Sequence, residues 1–314
     1  MKAAITGVSG YLGQLVAREL DADPAVEKIL GLDLAPSKFS SPKFSFTRAD
    51  VLTADFRKLL EGTDVFIHLA FIVTPPDRKL AARIDQINVD GSRRVFREAA
   101  RAGVPRIIYS SSVAAYGTHP DNPDFLREDA PLRPNPDWYY SRTKGEVEKF
   151  LNAFQLEQPG LQIIRFRPTI FVGPTLNNPV TNLYTSRFLV NLNPDLKVAF
   201  TWDGDVASAF RLALHHQKSD IFNLSGDGPL NTEELGRLLR KPVLRLPLRL
   251  ILPPLRIGQR LGIVTREQYE WVEWGNRGSI TVSTEKARKV LGWKPRFDTA
   301  GAVLEFVRQR KLQG

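Results

Sequence analysis

The chain has no cysteine, one methionine and only four histidines, His68, His119, His215 and His216. Without cysteine there is neither a disulfide framework nor a thiolate metal ligand, and four scattered imidazoles argue against a zinc cluster, so no metal site is expected. A reducing cytoplasm is the expected setting. No uninterrupted apolar run approaches the roughly 20 residues that cross a bilayer, and a glycine at position 7 leaves no room for the apolar core of a secretory leader. Neither a leader nor stable membrane insertion is expected. Acid is the scarcer charge, with 34 Asp and Glu against 44 Lys and Arg and a formal net charge of +10. The basic residues occur along the whole chain without a long run, which reads as a solvated surface that attracts anionic small molecules, not nucleic acid.

What is present is 42% hydrophobic residues over 314 positions, enough for a large core with a smaller appendage. The most informative stretch is Thr6-Gly7-Val8-Ser9-Gly10-Tyr11-Leu12-Gly13. It follows the apolar run Ala3-Ala4-Ile5 and leads into Leu12, Leu15, Val16 and Leu20 at helical spacing, so the order is strand, glycine turn, helix. Gly7 suits a turn closed to other residues, Gly10 lets an anion approach the main chain, and Gly13 lets the helix lie close to the sheet. The free N–H groups and dipole of the first helical turn would face a pyrophosphate. The spacing is Gly-x-x-Gly-x-x-Gly, which differs from the commonest dinucleotide fingerprint.

Further along, Val26 to Leu34 reads as a second strand, and Asp33 stands where a dinucleotide site needs a carboxylate for the adenosine ribose. A carboxylate there repels a 2′-phosphate and favours NAD over NADP. Strands are predicted at Phe44–Thr47, Asp64–Ala70 and Arg106–Ser112, with a long helix from Arg78 to Ala102, and alternation of this kind implies a parallel sheet covered on both faces. His68 reads as a hydrogen-bonded histidine at a strand end. Tyr140 and Lys144 are four apart on a predicted helix and share one face. An ammonium beside a phenol lowers the phenol's pKa from about 10 towards the range useful to an acid/base catalyst. Ser112, at the end of a neighbouring strand, is placed to hydrogen-bond the same substrate oxygen.

These motifs, with Asp50-Val51, His68-Leu69-Ala70, Asn88-Val89-Asp90-Gly91, Ser110-Ser111-Ser112, Arg167-Pro168 and Leu291-Gly292-Trp293-Lys294-Pro295, resemble in order those of the extended short-chain dehydrogenase/reductases of the NAD-dependent epimerase/dehydratase family. The resemblance implies an α/β fold, a Rossmann-type doubly wound parallel sheet with a smaller mixed α/β C-terminal substrate domain. It divides the chain into residues 1–168, with returning segments near 201–225, and a mainly substrate-binding part, 169–314. It implies hydride transfer to or from NAD at a secondary alcohol or ketone, with Tyr140 as general acid/base, Lys144 on the nicotinamide ribose, Ser112 polarising the substrate oxygen and Asn88 supporting the active-site helix. The cofactor would meet Gly7, Gly10, Tyr11, Leu12, Gly13, Asp33, Asp50, Val51, Leu69, Ala70, Ser110, Tyr140, Lys144, Pro168 and Thr169. The substrate would meet Ile72, Ser112, Val113, Ile170 and Asn182, and the family implies a homodimer.

The chain departs from the sugar-nucleotide members at Ile170, where they commonly carry an asparagine, and at Phe171-Val172 in place of a more polar pair. An apolar residue there withholds the hydrogen bond that a sugar or phosphate would use, so a more apolar alcohol or ketone is expected. The alternatives are a UDP-glucose 4-epimerase-like enzyme that retains its NAD, and a non-catalytic NAD(H)-binding redox sensor. Leu246 to Val264 interleaves arginines with leucines and isoleucines and is interrupted by Pro253-Pro254. It is read as two short helices closing over the pocket in preference to an amphipathic membrane-surface helix.

Overall fold

The computed structural model describes residues 1–73, 83–176 and 179–313. The first half alternates β1 (Lys2–Thr6), α1 (Tyr11–Asp21), β2 (Lys28–Asp33), β3 (Phe44–Arg48), α2 (Phe56–Leu59), β4 (Val65–His68), α3 (Ser92–Arg101), β5 (Arg106–Ser110), α4 (Tyr139–Glu157) and β6 (Gln162–Pro168). The second half is less regular: β7 (Ile170–Val172), α5 (Pro179–Thr185), β8 (Leu189–Asn191), β9 (Lys197–Val198), β10 (Phe200–Trp202), α6 (Asp203–Ala213), β11 (Asp220–Leu224), β12 (Leu230–Asn231), α7 (Thr232–Leu239), β13 (Val243–Arg245), α8 (Leu248–Arg260), α9 (Arg266–Gly275), α10 (Glu285–Leu291) and α11 (Thr299–Gln313).

Seven strands form one parallel sheet in the order β11-β6-β5-β4-β1-β2-β3. The order reverses between β1 and β4, so a crevice opens at their carboxyl ends, where ligands of doubly wound sheets bind. Successive side chains alternate between two helical layers. Ala3, Ile5, Ile29, Val65 and Ile67 pack with Val16 and Leu20 of α1 and Val206 and Phe210 of α6. Ala4, Phe66, Ile107 and Ile163 face Val95, Phe96 and Ala99 of α3 and Val147 and Leu151 of α4. The first layer also takes in Ala287 of α10 and the fully buried Trp293, whose indole N–H donates to the Asp205 carbonyl at 2.8 Å. A third cluster, with Val172, Phe200, Trp202, Leu235, Val303 and Phe306, holds β7, β10, α7 and α11 together.

Two expectations need correction. The helix read over Arg78–Ala102 is not uniform: its start lies outside the described residues, and Gln86–Gly91 form a π turn ahead of α3. Here Gly91 lies so close to Val51 that a β-carbon would meet its methyl at 2.7 Å, and the wide turn fits the chain around that contact. The second correction is that one helix, α8, runs straight through Pro253-Pro254. The two prolines forfeit two helical N–H bonds, but no residue of α8 is buried, so the carbonyls left over can be solvated.

On α4, Glu148 lies one turn beyond Lys144 and is fully buried. Its Oε1 accepts from Arg167 Nε at 2.8 Å, and its Oε2 accepts from Arg165 Nη1 at 2.8 Å and Arg167 Nη2 at 3.1 Å. Arg167 Nη1 donates on to the Tyr116 hydroxyl at 2.7 Å, which donates to Asn223 Oδ1 on β11 at 2.9 Å. Burial alone would raise the Glu148 carboxyl, but the charges and hydrogen bonds of Arg167 and Arg165 outweigh it and hold the group at about 2. Because the folded value lies below the ordinary 4.5, the carboxylate favours folding above that pH and the contribution is lost as pH falls towards about 2. Glu148→Gln leaves two buried guanidinium groups without their counter-ion, so urea unfolding at neutral pH should show a loss of about 3 kcal/mol or more. The same variant should lack this part of the wild type's decline between pH 4.5 and about 2.

Candidate active site

The glycine turn joins β1 to α1 at the crevice. Gly7 has φ +71°, and a β-carbon there would run into the main chain of Leu69 and Ala70 at the end of β4. Gly13 lies against the Gly7 carbonyl, so even alanine would collide with backbone. Gly10 is the N-cap of α1 and no side chain caps it, which leaves the first N–H groups of the helix, from Tyr11 to Gly13, open to an anion. Asp33, at the end of β2, is fixed by main-chain donors: Ser9 N–H to Oδ2 at 3.0 Å and Leu34 N–H to Oδ1 at 2.7 Å. Its remaining lone pairs are available to a diol. Asp50 turns its carboxylate inward to the Leu52 N–H at 2.8 Å, and the carbonyls of Val51 and Ala54 accept from Arg94 at 3.2 and 2.6 Å. The loop beyond β3 is thereby held as a fixed wall.

On the other side of the crevice, α4 presents Tyr140 and Lys144. The Ser112 hydroxyl lies beside the Tyr140 phenol, and Ser112 Oγ accepts from the Ala114 N–H at 3.2 Å, which locks its rotamer. Burial raises the Tyr140 phenol above its ordinary value, and the neighbouring Ser112 hydroxyl opposes this. The expected lowering by Lys144 is not seen. The Lys144 ammonium is turned instead to the Ser110 carbonyl at 2.8 Å and lies 3.6 Å from the centre of the Phe71 ring. Burial brings Lys144 down to about 7, opposed by the charge of Glu148 one turn away. Phe71 thus stands between the two groups, for its ring also meets Tyr140 edge-on at 5.8 Å.

Asn88 uses its whole amide on Ile72, accepting from the N–H at 2.8 Å and donating to the carbonyl at 2.9 Å. Its side chain therefore holds the loop after β4, and α4 is supported by the packing of the π turn as a whole. His68 is saturated: Ser92 Oγ donates to the Asn88 carbonyl at 2.5 Å, so His68 Nε2 must donate to Ser92 at 2.9 Å and Nδ1 accept from Thr6 at 2.7 Å. Burial and the Lys144 charge bring it down to about 3, so the ring is neutral.

At the end of β6, Pro168 pairs with Leu224, and the Thr169 hydroxyl is shared with Thr201 at 2.8 Å. Ile170 and Phe171 follow in β7; Phe171 stacks on Tyr11 with centroids 6.4 Å apart. The Tyr11 hydroxyl donates to Asp203 Oδ2 at 2.5 Å, tying the glycine turn to the start of α6, and burial raises both the phenol and the carboxyl. Leu12 packs into the first layer, Val113 is buried with Tyr116, Leu126 and Val282, and Asn182 is exposed on α5.

Sequence reasoning missed the contribution of α9. Trp271 lies against Tyr140 with ring centroids 5.3 Å apart and meets Trp138 edge-on at 5.0 Å. Beside it, Glu270 Oε2 accepts from the Tyr139 N–H at 3.0 Å and so caps the N-terminus of α4. More than a hundred residues separate these partners, and no local pattern links them. Glu148 was missed too, although it is the next member of the Tyr140, Lys144 series at spacing four.

Residues 3–225 match the model of the NAD dependent epimerase/dehydratase family. The chain belongs to that family. Its cofactor is NAD, and the uncapped helix start, the glycine cradle and the fixed Asp33 suit a dinucleotide. A UDP-glucose 4-epimerase of Lactobacillus helveticus is 28% identical, with 97% of this chain and 95% of that protein covered. An uncharacterized protein of Mycobacterium tuberculosis is 23% identical over 98% of this chain and 84% of its own length. Among solved structures, MoeE5 with UDP-glucuronic acid and NAD superposes over both full chains with a TM-score of 0.78 at 18% identity. The UDP-glucose 4-epimerase of Thermotoga maritima does so with 0.75 at 19%. At these identities the superpositions establish a shared fold.

Asp33→Asn keeps an acceptor for the Ser9 N–H but removes the charge. The ratio of NAD to NADP affinity, measured by titration calorimetry, should fall by about tenfold or more, the worth of roughly 1.4 kcal/mol.

Proposed function

We propose that this protein is an NAD-dependent oxidoreductase that interconverts an apolar secondary alcohol and its ketone. The observation that carries the reading is the aromatic enclosure of Tyr140, with Phe71, Trp138 and Trp271 ringing the phenol. A substrate carbon held against such surfaces is recognised by apolar contact, and Ile170 adds no polar partner.

The nicotinamide supplies the hydride donor or acceptor when NAD is bound. Gly7, Gly10 and the first N–H groups of α1 would hold its pyrophosphate, Asp33 the adenosine ribose, and Lys144 the nicotinamide ribose. Tyr140 moves the proton at the substrate oxygen, as base in oxidation and as acid in reduction. Ser112 donates to that oxygen and to the phenolate in turn, so charge developing on either is met by a fixed donor. Glu270 and Trp271 keep the first turn of α4 in place.

A second reading is sugar-nucleotide epimerisation with retained NAD, supported by the 28% identical Lactobacillus helveticus relative. Turnover of cyclic apolar secondary alcohols, followed by absorbance of the reduced nicotinamide, supports the first reading. Isomerisation of UDP-glucose without net reduction, and no alcohol oxidation, would establish the second.

In either case Tyr140→Phe should lower kcat by about 10² to 10⁴ while NAD affinity stays within about twofold. Undiminished kcat would remove Tyr140 from the chemistry. Trp271→Ala should raise KM for apolar substrates more than it lowers kcat.

A further inference from the structure

From Leu235 to Arg266 the chain contains no Asp or Glu and eight Lys or Arg, so a tenth of the sequence carries most of the net charge of +10. The surplus is concentrated, contrary to the reading of an evenly basic surface. It was hidden because it shows as missing acid, not as a run of base.

The geometry of α8 sorts this segment. At 100° per residue, Arg249, Arg256 and Arg260 fall in one stripe along the helix. Leu250, Ile257 and the C-cap Leu261 fall in a second stripe about a quarter-turn away. Both stripes face outward: Leu250 is 62% exposed, Ile257 58%, Leu261 70%, and Ile263 in the following turn 77%. None of the three arginines forms an ion pair among the described residues. The half-buried side of the helix, with Ile251, Leu252 and Leu255, faces the protein. Glu267 and Glu270 of α9 are buried, and Glu273, on the same helix, accepts from Arg277 Nη2 at 2.8 Å.

We propose that α8 and the Leu261–Ile263 turn dock the protein on an anionic lipid surface. Aliphatic side chains beside a basic stripe on a helix of modest length are what an interfacial helix needs: the arginines meet phosphate headgroups and the leucine and isoleucine tips enter the acyl boundary. Nucleic acid would use the arginines but leave four large aliphatic groups in water. Pro253 and Pro254 expose two helical carbonyls, which suits the wet headgroup layer and not the hydrocarbon. Docking here is peripheral. It does not depend on which substrate Tyr140 handles, and because α8 packs on α9, the bound surface adjoins the helix that carries Trp271.

The test is cosedimentation of the full chain with phosphatidylcholine vesicles made with and without phosphatidylglycerol. Partition should be about tenfold or more greater on the anionic vesicles at low salt and should fall as salt rises. Arg249→Gln with Arg256→Gln and Arg260→Gln should return it to the phosphatidylcholine level. Leu250→Ser with Ile257→Ser should weaken it several-fold. Retained NAD-induced thermal stabilisation shows that each variant is folded. Equal partition on both vesicles, or unimpaired binding by the glutamine variant, overturns the proposal. So does tighter binding of duplex DNA that the serine variant leaves unchanged. A drop in sedimentation coefficient with Ile257→Glu would assign the face to a second copy of the chain, and the proposal would again fail.

Discussion

Two guanidinium groups on β6, those of Arg165 and Arg167, are out of water and share the Glu148 carboxylate. Each charge alone would be too costly to bury, so α4 and β6 are obliged to keep one relative position. That position sets the site. Glu148, Lys144 and Tyr140 lie one turn apart on α4, while Arg167 immediately precedes Pro168 and Thr169. The same network runs through Tyr116 to Asn223, which makes the last strand of the sheet part of it. The helix that carries Tyr140 and Lys144 is therefore registered against the sheet by buried charge, and apolar packing of Val147 and Leu151 fills in around it.

The Lys144 ammonium shows how the pieces balance. Its position is poor in water but rich in compensations: a carbonyl, an aromatic face and a nearby carboxylate. Phe71 touches both Tyr140 and Lys144 although it lies in a loop whose sequence carries no pattern. That loop is held by Asn88 through the N–H and the carbonyl of Ile72, so a residue remote from Tyr140 decides where an aromatic ring stands.

The sheet, the glycine turn, Asp33 and the Tyr140, Lys144 pair were legible because each follows from local rules: periodicity, backbone sterics and helical spacing. The His68 reading was legible for the same reason, as a strand-end histidine with polar neighbours. What escaped came from contacts across long stretches of chain. Trp271 reaches Tyr140, and Glu270 caps α4, through the path of α8 and α9, which no spacing encodes. The turn of Lys144 away from the phenol likewise depends on Phe71 and Ser110, not on the four-residue interval. The run of prolines in α8 misled because a helix with no fully buried residue tolerates what a buried one does not.

The seventh strand also bears on how the chain is made. β6 reaches its full set of neighbours only when β11 arrives more than fifty residues later, and the first helical layer is closed later still by Trp293. During synthesis, then, an extended strand bearing two arginines waits at the edge of an unfinished sheet. Non-local closure of this kind is slow, and an open edge is where chains pair wrongly. Glu148 and Tyr116, both made before β6, are there to receive the two arginines, and Asn223 completes the network when β11 arrives.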